Sequence, residues 1–221
     1  MIFFLKKQPM KSKNNKKTIY LTFDDGPSKN TSEILDILLK YDIKATFFVC
    51  GNTTSYGEKI YKRLINEGHK IGNHTFSHNY NYLYSAEENF YKDIKKLEKL
   101  LFEKIKYKPD IIRFPGGSNT TIVNDKYFME RLTTKMLLEG YQYFDWNIDS
   151  LDANKITQEK NIIVNSVLKN VKYKDKSIIL FHDSTVKTTT VEALEIIIYK
   201  LKKMGYTFDV LSKDSYYIHF T

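Results

Sequence analysis

The sequence is short of cysteine, proline, glycine and long apolar runs. One cysteine, four prolines and nine glycines occur among 221 residues. With Cys50 alone, neither an internal disulfide nor a thiolate-based metal site can form. Cys50 closes the run ATFFVC, which reads as a buried strand. No stretch approaches the roughly 20 apolar residues that a membrane-crossing helix needs. The opening MIFFLKKQPMKSKNNKK has only Ile2 to Leu5 as an apolar block. A secretory leader needs about 7–15 such residues after its basic region. Residues 1–17 are therefore expected to form a basic, disordered arm and 18–221 a single domain. Neither standard glycine-rich phosphate loop is present, which counts against nucleotide binding. Negative charge is also short: 35 basic against 26 acidic residues leave +9. Most of that excess is expected on a solvated surface, although it would suit an anionic polymer such as cell wall. No nucleic-acid partner is expected.

What is present is a rhythm. The segments TIYLTF, ATFFVC, KIGNH, IIRFP, YQYFDWN, SIILFHD and TFDVLS read as strands, rich in β-branched and aromatic residues. Helical spacing separates them. It appears at Ile34, Leu35, Leu38 and Leu39 behind a cap at Thr31 or Ser32, at Ile60, Leu64 and Ile65, and over 86–105, 124–139, 157–170 and 189–204. Gly68, Gly140 and Gly205 stand where helix gives way to strand and supply the left-handed stop. NTTSYG and HNYNYLYSA read as surface loops. Repeated strand–helix units predict an α/β fold, a distorted (β/α)7-type barrel with parallel strands inside and helices outside. An open doubly wound sheet is the alternative.

Polar clusters fall at the ends of these strands: TFDDGP, NHTFSH, RFPGGS, FHD and, after the fifth, NIDSLD. Parallel α/β folds gather their chemistry at that sheet edge, so the clusters should converge. His74 and His78 would share one face of a helical turn, and with an aspartate they make a three-ligand N/O set of the catalytic zinc type. Other borderline divalent metals fit the same donors. Of the adjacent Asp24 and Asp25, one would ligate the metal and the other stay free as base. Two carboxylates this close need compensating charge, from the metal and from Arg113. His182 reads as a proton donor tuned by Asp149 or Asp152. The low-bulk turn after Arg113 would offer N–H groups to an oxyanion.

In this order the clusters resemble the polysaccharide deacetylases of carbohydrate esterase family four, the group with a NodB-like domain. TFDDGP and H-T-x-S-H carry the likeness, which runs from about Thr18 to Leu211. The resemblance implies a partly open barrel and a divalent-metal hydrolase that removes acetyl groups from N-acetylated sugars of chitin, peptidoglycan or related polymers. The metal would be zinc first, with cobalt or manganese as alternatives. It implies Asp24 as general base, Asp25, His74 and His78 as metal ligands, and Arg113 as the group orienting the base. It further implies His182 as general acid and Asp152 as the carboxylate that tunes it. Gly116 would be the oxyanion N–H and Leu180 the lining of the acetate-methyl pocket. It implies work outside the cytoplasm, at the cell wall, by a protein expected to be monomeric.

Two positions depart from the family pattern. Gly116 stands where an aromatic is usual, and Ala153 where tryptophan is usual, so two walls of the sugar groove are missing. Trp146 or Phe114 would have to supply apolar surface instead. Two rival readings are a metal-dependent phosphoester hydrolase and an inactive carbohydrate-binding homologue.

Overall fold

The computed structural model describes residues 17–221 apart from Asn124. Except for Lys17, the expected basic arm lies outside the described residues. The elements run β1 (Thr18–Asp24), α1 (Lys29–Lys40), β2 (Thr46–Val49), α2 (Ser55–Asn66), β3 (Lys70–Asn73), α3 (Tyr80–Leu83) and α4 (Glu87–Ile105). They continue β4 (Ile111–Ile112), α5 (Phe128–Leu138), β5 (Gln142–Tyr143), β6 (Ile148–Asp149), α6 (Lys160–Val171), β7 (Lys176–His182), α7 (Thr188–Lys203) and β8 (Thr207–Phe208).

Every strand pairing is parallel, in the order β5-β4-β3-β2-β1-β7-β6. β7 runs along all of β1, while β2 pairs with its last three residues and β8 with its first two. A strand has two bonding edges, so β2 and β8 share one of them and splay apart. The sheet curls into a half-barrel with the helices around it, the barrel expected rather than the open doubly wound sheet. The predicted fifth strand is realised only at β5, and β6 lies just beyond its end. β5 bonds to β4 and β6 to β7, and four residues separate them. A parallel return needs a dozen or more residues, so 142–149 is one extended path stepping from one sheet edge to the other. Phe144 N–H still bonds the β4 side and Asn147 N–H the β7 side. β6 therefore lies in NIDSLD, the polar cluster placed after the fifth strand.

Side-chain alternation sorts the strands into two faces. Ile19, Leu21, Phe23, Phe47, Val49, Ile71, Ile179 and Phe181 pack outward against the helices. Tyr20, Phe48, Ile111, Phe144 and Ile178 fill the interior with Leu211. Burial of these side chains is the main favourable term in holding the layers together.

The glycine stops behave as expected: Gly68, Gly140 and Gly205 have φ of 79°, 86° and 80°. The first helix begins earlier than expected. Its cap is Ser28, which bonds Asn30 N–H while Thr31 Oγ1 accepts from Ser28 N–H, a reciprocal box. Two stretches read as loops contain helix: Ser55–Gly57 opens α2, and Tyr80–Leu83 is a single turn. Cys50 lies one residue past β2 and is half-buried, so it is not a buried strand residue.

Candidate active site

The interior face rises to a polar top layer. Above Tyr20 on β1 come Thr22 and Asp24, above Ile178 on β7 come Leu180 and His182, and above Ile111 comes Arg113. Strand register makes Asp24 and His182 cross-strand neighbours. Arg113 is wholly buried. It donates to Asp24 Oδ1 at 2.9 Å, Thr22 Oγ1 at 2.7 Å and the Phe144 carbonyl at 2.9 Å. Its guanidinium carbon lies 4.3 Å from the centre of the Phe48 ring. Burial pushes the Asp24 carboxyl above the usual carboxylate range. Arg113 and His182 pull it back without cancelling the rise.

Asp25 follows in the left-handed region, φ 81°, which swings its side chain away from the β1 alternation. The turn is held from β7: Asp183 N–H bonds the Asp24 carbonyl, and the Asp183 carboxylate accepts from Thr31 Oγ1 at 2.6 Å. A Cβ at Gly26 would sit 2.3 Å from Asp183 Oδ2, so only glycine fits there. Burial, with Asp25 and Asp24 nearby, pushes Asp183 up to about 7 against the pull of the Thr31 bond.

The two histidines do not share a helical turn, contrary to the expectation from their spacing. They lie on a loop after β3 in which Thr75 and His78 have φ of 71° and 50°. Asn73 Oδ1 accepts from Thr75 N–H, Thr75 Oγ1 from His78 N–H, and Asp93 Oδ1 from the N–H groups of Phe76 and Ser77. The loop is thus tied at four amides. His74 Nδ1 donates to the Arg113 carbonyl at 2.8 Å, which leaves Nε2 as the acceptor nitrogen. Burial, helped by His78, depresses the His74 pKa to about 3, so the ring stays neutral.

Asp25 Oδ1 lies 3.3 Å from His78 Nε2 and 3.6 Å from His74 Nε2, and the ligand atoms of all three residues fall within 4.8 Å of one another. Asp25 Oδ1 is also buried with no hydrogen-bond partner among the described residues. A buried carboxylate oxygen left unpaired between two imidazoles is costly unless a cation completes it. The donors therefore fit a divalent metal of the zinc class.

On the other side, His182 Nδ1 donates to Asp152 Oδ1 at 2.8 Å. Asp152 Oδ2 accepts from His182 N–H and Thr190 Oγ1. Burial acts to lower the His182 pKa. The hydrogen bond and charge of Asp152 overcome it, with Asp24 and Asp25, and push it up to about 9. Asp149, the other candidate partner, instead caps Leu151 N–H. Leu180 is buried one layer below His182. In the turn after Arg113, Gly116 is exposed, and its N–H meets no acceptor among the described residues.

The sequence signature described as polysaccharide deacetylase matches residues 11–132. A peptidoglycan-N-acetylglucosamine deacetylase of Bacillus cereus is 39% identical, over 93% of this chain and 92% of its own. The catalytic domain of the Eubacterium rectale peptidoglycan N-acetylglucosamine deacetylase superposes with a TM-score of 0.89, at 35% identity over 97% of both chains. A carbohydrate esterase family four (CE4) esterase of Streptococcus mutans gives 0.79 at 31% identity, over 90% of this chain and 87% of that one. This chain belongs to the polysaccharide deacetylase family.

Against that family pattern, the two departures can be located. Gly116 has φ 81° and faces Tyr80; Ala153 is exposed on a loop whose carbonyls at Asp152, Lys155 and Ile156 are gathered by the buried Lys187 ammonium. Phe114 is buried in the cluster around Phe90 and Tyr143 and offers no surface to a ligand. Trp146 is partly exposed, edge-on to Phe220 and 5.7 Å from the Arg113 guanidinium carbon. Sequence reasoning missed Asp93, Asp183 and Asp145, whose carboxylates hold the histidine loop, the aspartate turn and the glycine turn. A signal existed for Asp93: it lies on the apolar face of α4 beside Phe90, Ile94 and Leu97.

Proposed function

We propose that this deacetylase removes N-acetyl groups from N-acetylglucosamine units of cell-wall peptidoglycan and releases acetate, using one divalent cation, zinc by preference. The observation that carries the reading is the unpartnered Asp25 Oδ1 between His74 and His78, with the Arg113-held Asp24 carboxylate 3.8 Å from His74 Nε2. The peptidoglycan activity named for the Bacillus cereus and Eubacterium rectale relatives supports the choice of polymer.

Asp25, His74 and His78 would hold the cation. Once bound, it would supply Lewis acidity, acidifying water and polarising the acetamide carbonyl. Asp24 takes the proton of the attacking water, and Arg113 fixes its orientation. The new C–O bond forms as the carbonyl π electrons move onto oxygen, and the Gly116 N–H faces that oxyanion. His182 delivers a proton to the sugar nitrogen as the C–N bond breaks, leaving acetate and an amine. Asp152 keeps that imidazole protonated at neutral pH.

The phosphoesterase alternative lacks a clamp. Arg113 has no exposed surface and spends its N–H groups on Asp24, Thr22 and backbone carbonyls. The non-enzymatic alternative requires a broken constellation, and every side chain it would break is present and converging. The test is acetate release by zinc-loaded protein from peptidoglycan, chitooligosaccharides and acetylated xylan in parallel. Release from peptidoglycan is expected. Binding without release from any of the three would overturn the reading.

A further inference from the structure

Beside the proposed site stands a phenol with no assigned task. Tyr80 opens α3, two residues after His78. Its ring meets the His78 ring at 84° with centroids 5.2 Å apart, and the Tyr84 ring at 5.9 Å. Tyr84 is itself pinned, its hydroxyl donating to the Pro115 carbonyl at 2.6 Å. Tyr80 Cε1 and the Tyr80 hydroxyl lie 3.2 Å and 3.4 Å from where a Cβ at residue 116 would stand. The phenol therefore occupies the space above the glycine turn, and a side chain at 116 would crowd it. Among the described residues the Tyr80 hydroxyl has no hydrogen-bond partner, although its ring is packed on His78, Tyr84 and Gly116.

Two donors without a partner among the described residues thus belong to neighbouring groups, the Gly116 N–H and the O–H of Tyr80, whose ring packs on His78. A rigid ring with a free hydroxyl suits a ligand dense in oxygen acceptors. We infer that Tyr80 is a substrate-positioning residue, its hydroxyl bonding an oxygen of the sugar that carries the acetamide and its ring walling that sugar above Gly116. The inference rests on the deacetylase reading and names the residue that seats its substrate.

The test separates seating from chemistry and from metal binding. Tyr80→Phe keeps the ring and removes only the hydroxyl. On a polymer fragment that the unsubstituted protein deacetylates, it is expected to raise KM about three- to tenfold, the worth of one neutral hydrogen bond, with kcat within about twofold. Tyr80→Ala removes the wall as well and should raise KM further, on the order of 30-fold. In an Asp24→Asn background, which should bind without turnover, adding Tyr80→Phe should weaken the Kd for the same fragment by the same factor. Zinc titration of Tyr80→Phe should match the parent. An unchanged KM and Kd would overturn the inference while leaving the deacetylase reading intact. So would a loss confined to zinc affinity, which would make Tyr80 a support for His78. Failure of the unsubstituted protein to release acetate from any of the polymers would instead overturn the deacetylase reading, and this inference with it.

Discussion

Single residues in this protein are set by what they touch across the sheet. His182 is the clearest case. Burial alone would keep it neutral, yet the Asp152 carboxylate holds its proton to about 9. The pH–rate profile should therefore lose activity on the alkaline side near that value, as the acid is deprotonated. In Asp152→Asn the alkaline limb should move down by at least one pH unit, towards the ordinary imidazole range of about 6.5. The same shift has a stability sign. A pKa raised on folding adds stability that is complete below the unfolded value and is lost as pH rises through about 9. Denaturant midpoints at about pH 6 and about pH 10 should thus differ less in Asp152→Asn than in the parent. An alkaline limb that stays in place would show that Asp152 does not tune His182.

Among the elements, β3 has the tightest fit. A Cβ at Gly72 would come within 2.3 Å of Phe48 Cδ1 and 3.2 Å of Ile111 Cγ1, so β3 needs glycine there for the Phe48 ring to lie flat in the barrel. That ring is the floor beneath Arg113. Gly72→Ala should cost about 1–3 kcal/mol by overpacking. It should also lower turnover by displacing Arg113 from Asp24, and weaken zinc binding, because His74 lies two residues after Gly72 and its Nδ1 rests on the Arg113 carbonyl. Chemical denaturation, acetate release and zinc titration of one preparation would check all three. The element boundaries were legible where periodicity and punctuation agree, as over α4 and at Gly68, Gly140 and Gly205. They were not legible at 142–149. There one extended run serves two sheet edges, and its division depends on β4 and β7 rather than on its own residues.

Over the whole molecule, the proposed cation links segments about 50 residues apart, since Asp25 follows β1 and His74 and His78 follow β3. A ligand that binds only the folded state stabilises it, by about 2.7 kcal/mol at a hundredfold excess over Kd. The Tm should rise with zinc and fall on chelation, and His74→Ala should abolish the rise. A zinc-independent Tm in the parent would count against the site. No helix among the described residues is long and apolar enough to cross a membrane. The surplus of nine positive charges would draw the protein towards an anionic wall, an attraction that salt should weaken.

By itself the sequence determined the strand–helix alternation, the glycine stops and the chemical identity of each polar cluster. All of these are local, written within a few residues of one another. Residue chemistry left Asp149 and Asp152 open as partners of His182; the family resemblance pointed to Asp152, and the structure places the bond there. Only the tertiary structure decided that His74 and His78 meet through a strained loop rather than a helix, and that Tyr80 stands over Gly116. Those choices depend on strand register and loop closure between residues tens of positions apart. A spacing read along the chain carries no information about which side chains then face one another.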